Sequence, residues 1–200
     1  MKKFIYLISP KKIEKDFFSN LKKVLSSKKV KFFQLRLKDA NKEKIIKVSK
    51  KIIKITKRYN VKFIINDYYN LVNVVGADGC HLGQSDSNIR DVNKILKKKI
   101  IGITCHNSKK LAIRAKKNNA SYIAFGSFYK SKLKPNAIKA NPKVISWAKK
   151  NLKIPIVVIG GIDNKNYRKL INLGANYIAI SSFIWNNKIL KPNKAVETFR

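Results

Sequence analysis

The chain has 200 residues, of which 44% are hydrophobic, and this is enough for one domain, spanning residues 1–200, with a sizeable core. No run approaches the ~20 consecutive apolar residues of a membrane-spanning helix. The apolar run at 4–8 stops at Ser9-Pro10, too short for a secretory signal, and we interpret it as a first strand. The two cysteines, Cys80 and Cys105, match neither a disulfide framework nor a zinc site. We expect a cytoplasmic protein with no membrane partner.

The charge is strongly positive, with 46 basic and 10 acidic residues and a net charge of +36. Such an excess can indicate nucleic-acid or membrane-surface binding. Only six of the basic residues are Arg, however, and base reading and bidentate phosphate binding favour Arg over Lys. Residues 42–58 carry Ile and Val on one helical face and Lys mostly on the other, which is typical of a solvated surface helix. We therefore expect no specific nucleic-acid partner.

Eight short apolar runs alternate with segments of helical pattern or length. Runs that are apolar almost throughout predict strands buried on both faces, and hence a parallel sheet. Eight such units in about 200 residues favour a (β/α)8 TIM barrel, with a doubly wound open sheet as the competing fold. The predicted strands are 4–8, 30–35, 61–65, 79–82, 100–104, 122–125, 154–159 and 177–181.

In a barrel the active site lies at the carboxyl ends of the strands, so the polar residues found there are the candidates for function. The second strand leads into Gln34, Arg36 and Lys38, which alternate with Leu35 and Leu37. Because side chains of a strand alternate between faces, the three polar groups share one face. This arrangement suits an anionic substrate, since Arg can bind phosphate through two hydrogen bonds.

Two carboxylates follow neighbouring predicted strands in a chain that has few acids. Asp67 comes just after the third strand, and Asp86 comes a few residues after the fourth. Mg²⁺ prefers one or two carboxylates together with substrate phosphates and water. The pair therefore predicts a magnesium site, whereas Asp78-Gly79 is better explained as a turn.

The remaining strand ends supply hydroxyls, lysines and glycines. The loop 126–135 follows the sixth strand and has the composition of a lid over anions. Gly160-Gly161 and Ser181-Ser182 follow the last two strands, where barrels commonly bind phosphate. A structural hydrogen bond is the better interpretation of His81. Two roles stay open for His106: it could act as an acid or base, or it could cap the helix beginning near Asn107-Ser108.

These segments resemble the thiamine-phosphate synthase family along nearly the whole chain. The most specific segment is IINDYYNLVNVVGADGCHLGQSD, and QLRLKD, IGITCHN, YIAFGSFYKSKLK, IPIVVIGGI and IAISSF match in the same order. The resemblance implies a transferase that joins a pyrimidine diphosphate to a thiazole phosphate and releases pyrophosphate. It further implies a dissociative path, in which the diphosphate leaves a pyrimidinylmethyl cation that the thiazole nitrogen captures.

The resemblance also assigns roles to residues. Gln34, Arg36, Lys38 and Asn66 would hold the pyrimidine diphosphate, with Thr104 near the diphosphate. Asp67 and Asp86 would bind Mg²⁺, and Ser131 and Lys134 would belong to the lid, with Lys134 on phosphate. Gly161, Ser181 and Ser182 would bind the thiazole phosphate. Arg36, Lys38 and Lys134 would be the catalytic set. The lid departs from the family pattern of roughly Thr-x-Thr-Lys, because Leu133 takes the place of one hydroxyl residue.

Two other functions stay open. Thiazole tautomerases share the barrel but use neither a diphosphate nor a metal, and His106 would be a candidate acid or base there. A non-catalytic polyanion-binding barrel would use the lysines and leave the polar strand ends without a role. The sequence leaves a homo-oligomer open as well.

Overall fold

The structure is a computed structural model that describes residues 3–130 and 139–200. Eight parallel strands follow one another around a closed barrel, with β1 paired to both β2 and β8. This closure confirms the predicted (β/α)8 barrel and excludes the open doubly wound sheet. The strands are β1 Ile5–Ile8, β2 Val30–Leu35, β3 Lys62–Asn66, β4 Gly79–Leu82, β5 Ile100–His106, β6 Tyr122–Gly126, β7 Ile156–Ile159 and β8 Tyr177–Ile180.

Helices surround the barrel and follow the strands in turn. They are α1 Phe17–Leu25, α2 Lys42–Arg58, α3 Leu71–Val75, α4 Ile89–Ile95, α5 Lys109–Lys117, α6 Lys143–Leu152, α7 Tyr167–Asn172, α8 Ser182–Trp185 and α9 Pro192–Glu197. The outer faces of the strands pack against these helices; Phe33, Leu35 and Leu37, for example, belong to this outer core. None of the helices in the described ranges is both long and apolar enough to cross a bilayer.

Strand bounds in β1, β3, β6 and β8 differ from the sequence prediction by one residue, and two bounds differ by two residues for local reasons. β7 begins at Ile156 instead of residue 154, because Pro155 has no N–H to give to the ladder and only its carbonyl accepts, from Ile123 N at 3.0 Å. β5 continues to His106, past a register shift between Thr104 and His106. His106 there adopts a left-handed φ of 51°.

A second, smaller core fills the inside of the barrel. It contains the aromatic side chains Tyr6, Phe32 and Tyr122, with ring centroids 5.3 Å apart for Tyr6–Phe32 and 5.6 Å for Tyr6–Tyr122. The Tyr6 and Tyr122 hydroxyls are joined by a hydrogen bond of 2.7 Å. The barrel is thus a packed core rather than a channel, and substrates can approach only its ends.

Helix α2 has the amphipathic character that its sequence predicts. Ile45 and Ile52 are buried, whereas the seven lysines of this helix are exposed. The side-chain oxygen of Asn41 accepts from Lys44 N and begins the helix. Lysines on this face lie in solvent, and nothing in their arrangement requires a polyanion.

We predict that Gly102→Ala destabilises the fold, because Gly102 makes room for the buried Tyr122 ring. A Cβ at Gly102 would lie 1.9 Å from Tyr122 Cζ, and the ring is enclosed in the barrel. Overpacking of this kind costs about 1–3 kcal/mol in free energy of unfolding. Urea denaturation measures it.

The control is the same substitution in a Tyr122→Ala background, where the space is open. Gly102→Ala should add little there. Equal costs in both backgrounds would show that the Tyr122 ring is not the cause.

Candidate functional site

The carboxyl ends of β2, β3 and β4 open onto a cleft of about 480 Å³. Its lining includes Lys38, Asn66, Asp67, Tyr68, Ser85 and Asp86. These residues come from three strand ends that the parallel register places next to one another. The structure therefore brings both predicted carboxylates and the predicted lysine to one side of the barrel mouth.

Gln34 and Asn66 form a fixed pair between β2 and β3. Gln34 is 3% exposed, and its Nε2 donates to Asn66 Oδ1 at 2.8 Å. Asn66 Nδ2 donates to no atom of the described residues, so its two N–H groups are left for a ligand. A pair of amide N–H donors suits an acceptor-rich substrate.

Arg36 and Lys38 lie just beyond the end of β2, with Leu35 and Leu37 buried on the other side as predicted. Ser9 Oγ accepts from Arg36 N at 2.9 Å, and Ser9 N donates to Gln34 O at 2.9 Å. None of the three ion pairs found in ranges 3–130 and 139–200 includes Arg36 or Lys38. Both cations are therefore available to an anion.

Asp67 and Asp86 approach each other within hydrogen-bonding reach. Burial first, then the hydrogen bond to Asp86 and its charge, raise the pKa of Asp67 to about 6, against the opposing effect of Lys38 and Arg36. Asp86 Oδ2 also accepts from Gly83 N at 2.5 Å. Two carboxylates this close repel unless a proton or a cation lies between them, so the donor set fits a hard divalent cation.

The backbone at Asp67 contributes to this placement. Asp67 has a left-handed φ of 63°, and its N–H donates to His81 O at 2.9 Å. Asp tolerates this conformation better than most residues, and such conformations are enriched at functional sites. Within the described residues no cluster of three His, Cys, Asp or Glu side chains exists, so a cation here would complete its shell with substrate oxygens and water.

His81 and Thr104 sit side by side on β4 and β5. His81 Nε2 lies 2.8 Å from Thr104 Oγ1, and His81 Nδ1 lies 3.0 Å from Tyr122 Oη. These contacts match the structural hydrogen bonding predicted for His81. Burial lowers the pKa of His81 to about 4, more than the Asp86 carboxylate raises it. The imidazole is accordingly neutral.

On the far side of the mouth, Gly160 and Gly161 follow β7 with left-handed φ values of 106° and 58°. A Cβ at Gly161 would lie 2.3 Å from Lys130 O. Gly161 therefore lies in close contact with the loop after β6, and the phosphate binding expected of this Gly-Gly pair stays a prediction. Ser181 and Ser182 follow β8, and Ser181 Oγ donates to Ser9 O at 3.1 Å.

Three other sequence expectations have definite outcomes. The cap of α5 is Ser108, whose Oγ accepts from Leu111 N at 3.2 Å, so the capping alternative for His106 is wrong. Asp78 lies in the turn into β4 as predicted, and it accepts from Phe63 N at 2.9 Å. Cys80 and Cys105 are buried free thiols. Ser131 and Lys134, with Leu133 between them, lie outside the described residues.

Two structural contributors were not identified from sequence. Ser9 is buried and connects the ends of β1, β2 and β8, yet a single serine after a strand carries no distinctive signal. Tyr122 supports His81 from the barrel interior. Its hydroxyl within an otherwise apolar strand was the available signal, because a buried Tyr usually has a hydrogen-bond partner.

Comparison with known proteins agrees with this architecture. A family model described as thiamine monophosphate synthase matches residues 5–184. A thiamine-phosphate synthase of Pelagibacter ubique (strain HTCC1062) is 51% identical over 100% of this chain and 97% of its own length. One of Rhodospirillum centenum (strain ATCC 51521 / SW) is 34% identical over 92% of this chain and 89% of its own length.

Among solved structures, a thiamine phosphate pyrophosphorylase from Pyrococcus furiosus superimposes with a TM-score of 0.88 at 26% identity, covering 99% of this chain and 94% of that one. This chain belongs to the thiamine monophosphate synthase family.

Proposed function

We propose that this protein is a transferase that couples hydroxymethylpyrimidine diphosphate to hydroxyethylthiazole phosphate, giving thiamine phosphate and pyrophosphate. Relatives named thiamine-phosphate synthase match 100% and 92% of its length. The observation that carries the proposal is the placement of Asp67 and Asp86 at the same barrel mouth as Arg36 and Lys38. That combination of paired carboxylates and free cations suits a magnesium-bound diphosphate.

On the diphosphate side, we assign Arg36 and Lys38 to the phosphate oxygens and Gln34 and Asn66 to the pyrimidine end. Thr104 adds a hydroxyl at the end of β5. The two cations neutralise charge that builds up on the diphosphate as its bond to the pyrimidine methylene breaks. Because they are held at the ends of strands, they need little reorganisation during the reaction.

We also propose that Asp67 and Asp86 bind a Mg²⁺ ion. The ion would supply Lewis-acid stabilisation of the leaving diphosphate. The proximity of the two carboxylates and the raised pKa of Asp67 support this assignment. Asp67 and Asp86 keep their oxygens at the mouth, where a cation can share them with the substrate.

We assign Gly161, Ser181 and Ser182 to the thiazole phosphate, and Ser131 and Lys134 to a lid, with Lys134 on phosphate. Lys134 joins Arg36 and Lys38 as a catalytic cation. In the reaction the C–O bond breaks and its electron pair leaves with the diphosphate. The thiazole nitrogen then donates its lone pair to the methylene carbon, and no proton needs to move. The barrel mouth holds the two substrates facing each other, which is the main requirement of such a reaction.

A thiazole tautomerase is the alternative on the same barrel. It binds a monophosphate and would have no use for Asp67 and Asp86 or for the free cations after β2. The geometry of that side favours the synthase, and the next two predictions separate the two functions.

We predict that coupling requires a divalent cation and that Asp67→Asn lowers kcat at least ~10²-fold, because several kcal/mol of leaving-group stabilisation would be lost. Asp91→Asn is the matched control, since Asp91 is an exposed carboxylate on α4. Turnover is followed as pyrophosphate release.

Asp67 must lose its proton to bind a cation, so the Mg²⁺ concentration for half-maximal rate should rise as pH falls below about 6. Full turnover in excess chelator would contradict the metal assignment.

We predict that Arg36→Ala abolishes coupling and weakens binding of the pyrimidine diphosphate, while the affinity for thiazole phosphate stays nearly unchanged. Gly161→Val should do the reverse, because the new side chain meets Lys130 O and displaces that side of the mouth. His106→Ala should cost a synthase little. Calorimetry with each substrate alone measures all three variants.

The tautomerase would give a different pattern in these titrations. The wild type would then bind thiazole phosphate alone, Arg36→Ala would have no effect, and His106→Ala would cripple proton transfer.

A further inference from the structure

Four polar side chains form one hydrogen-bonded chain from the barrel interior to its mouth. Tyr6 Oη lies 2.7 Å from Tyr122 Oη, and Tyr122 Oη lies 3.0 Å from His81 Nδ1. His81 Nε2 then lies 2.8 Å from Thr104 Oγ1. These residues belong to β1, β6, β4 and β5, and the function proposed above uses only Thr104.

The inner end sets the direction of the chain. Tyr6 is 2% exposed, and within ranges 3–130 and 139–200 its hydroxyl contacts no polar atom other than Tyr122 Oη. A buried O–H without an acceptor costs more than an unused oxygen lone pair. Tyr6 therefore donates to Tyr122, and the Tyr122 hydrogen is directed at His81 Nδ1.

The direction fixes the tautomer of His81. A neutral imidazole carries one hydrogen, and which nitrogen holds it follows from the bond that the other nitrogen makes. Since Nδ1 accepts from Tyr122, the hydrogen sits on Nε2 and is donated to Thr104 Oγ1. With Nδ1 as an acceptor, the ring carries a single hydrogen and is neutral. The opposite direction would leave the Tyr6 hydrogen without an acceptor.

Packing holds the ring in this position. His81 stacks on Tyr122 with ring centroids 5.7 Å apart and an interplanar angle of 17°. The Tyr122 ring lies over Gly102, where even a methyl group would meet it at 1.9 Å. The Tyr122 ring has little freedom to move, and its stacking therefore fixes the position of the imidazole.

The outer end is a hydroxyl hydrogen without a protein acceptor. Thr104 Oγ1 accepts from His81, and the described part of the chain offers no carbonyl or carboxylate for its own hydrogen. Thr104 is partly exposed at the end of β5. We propose that His81 is a positioning residue that donates to Thr104 and so leaves the Thr104 hydroxyl as a hydrogen-bond donor to a phosphate oxygen of the substrate. The identity of that substrate as the pyrimidine diphosphate rests on the proposed function.

The tautomer is measurable without any substrate. The chain has only two histidines, so ¹⁵N-histidine labelling gives two imidazole signals, and His106→Gln identifies that of His81. The wild type should show the Nε2–H tautomer. Tyr122→Phe should move the Nδ1 resonance because it removes the donor, whereas Tyr6→Phe, which deletes an equally buried hydroxyl, should leave it nearly in place. An Nδ1–H tautomer in the wild type overturns the proposal.

The effect on an anion is tested by calorimetry with inorganic pyrophosphate and Mg²⁺. Thr104→Val should weaken binding about ten-fold or more, the usual loss for a hydrogen bond to a charged group, and Thr104→Ser should restore it. His81→Gln retains an N–H donor and should cost less than about three-fold. His81→Leu should weaken binding, and adding it to Thr104→Val should cost nothing further.

Additive losses in the double variant would show that His81 acts otherwise than through Thr104, and would overturn the proposal. If His81→Leu does not fold, the wild-type tautomer and the Thr104 and His81→Gln variants still decide. Pyrophosphate binding is independent of coupling, so a wild type that binds pyrophosphate through Thr104 but forms no thiamine phosphate would refute the proposed function and leave this inference standing.

Discussion

The site depends on the parallel pairing of β2, β3, β4 and β5, because that pairing brings their carboxyl ends to one edge. Gln34 reaches Asn66 across two strands, Asp67 N–H reaches the carbonyl of His81, and His81 reaches Thr104. Each strand end therefore holds its neighbour's polar group. A shift of register between any two of these strands would separate the carboxylates from the cations. The side of the mouth proposed for the diphosphate would then be lost.

The mouth contains paired acidic side chains, although the chain as a whole is strongly basic. In a protein with a net charge of +36, two of the few acids lie half-buried at the mouth, where burial first and then the interaction with Asp86 raise the pKa of Asp67. Arg36 and Lys38 lie near enough to lower it partly. Such a grouping is costly unless a ligand uses it. A divalent cation and a diphosphate would satisfy both signs of charge at once.

Much of the fold could be predicted from sequence, because continuous apolar runs and their even spacing have few structural solutions. The two larger errors in strand bounds, of two residues each, fall where one residue changes the hydrogen bonding, at Pro155, or the register, at Thr104–His106. The other errors are of one residue at a strand end. The alternation of Gln34, Arg36 and Lys38 with buried leucines was also visible, since it follows from strand geometry alone.

The contacts between distant segments could not be predicted in this way. The hydrogen bond between Tyr122 and His81 joins residues 41 positions apart, and no local sequence pattern predicts it. The packing of Gly161 against Lys130 O similarly depends on the path of a loop. Sequence patterns thus identified Lys38, Asn66, Asp67 and Asp86 as residues of the mouth, whereas the hydrogen bonds between distant segments follow only from the three-dimensional structure.

The most direct measurement is incubation of the wild type with hydroxymethylpyrimidine diphosphate, hydroxyethylthiazole phosphate and Mg²⁺, followed by chromatographic separation of the products. A diphosphate site facing a thiazole phosphate site predicts thiamine phosphate and pyrophosphate in equal amounts, and neither when Mg²⁺ is chelated. A folded protein that forms no thiamine phosphate and shows no calorimetric affinity for the pyrimidine diphosphate would contradict the account.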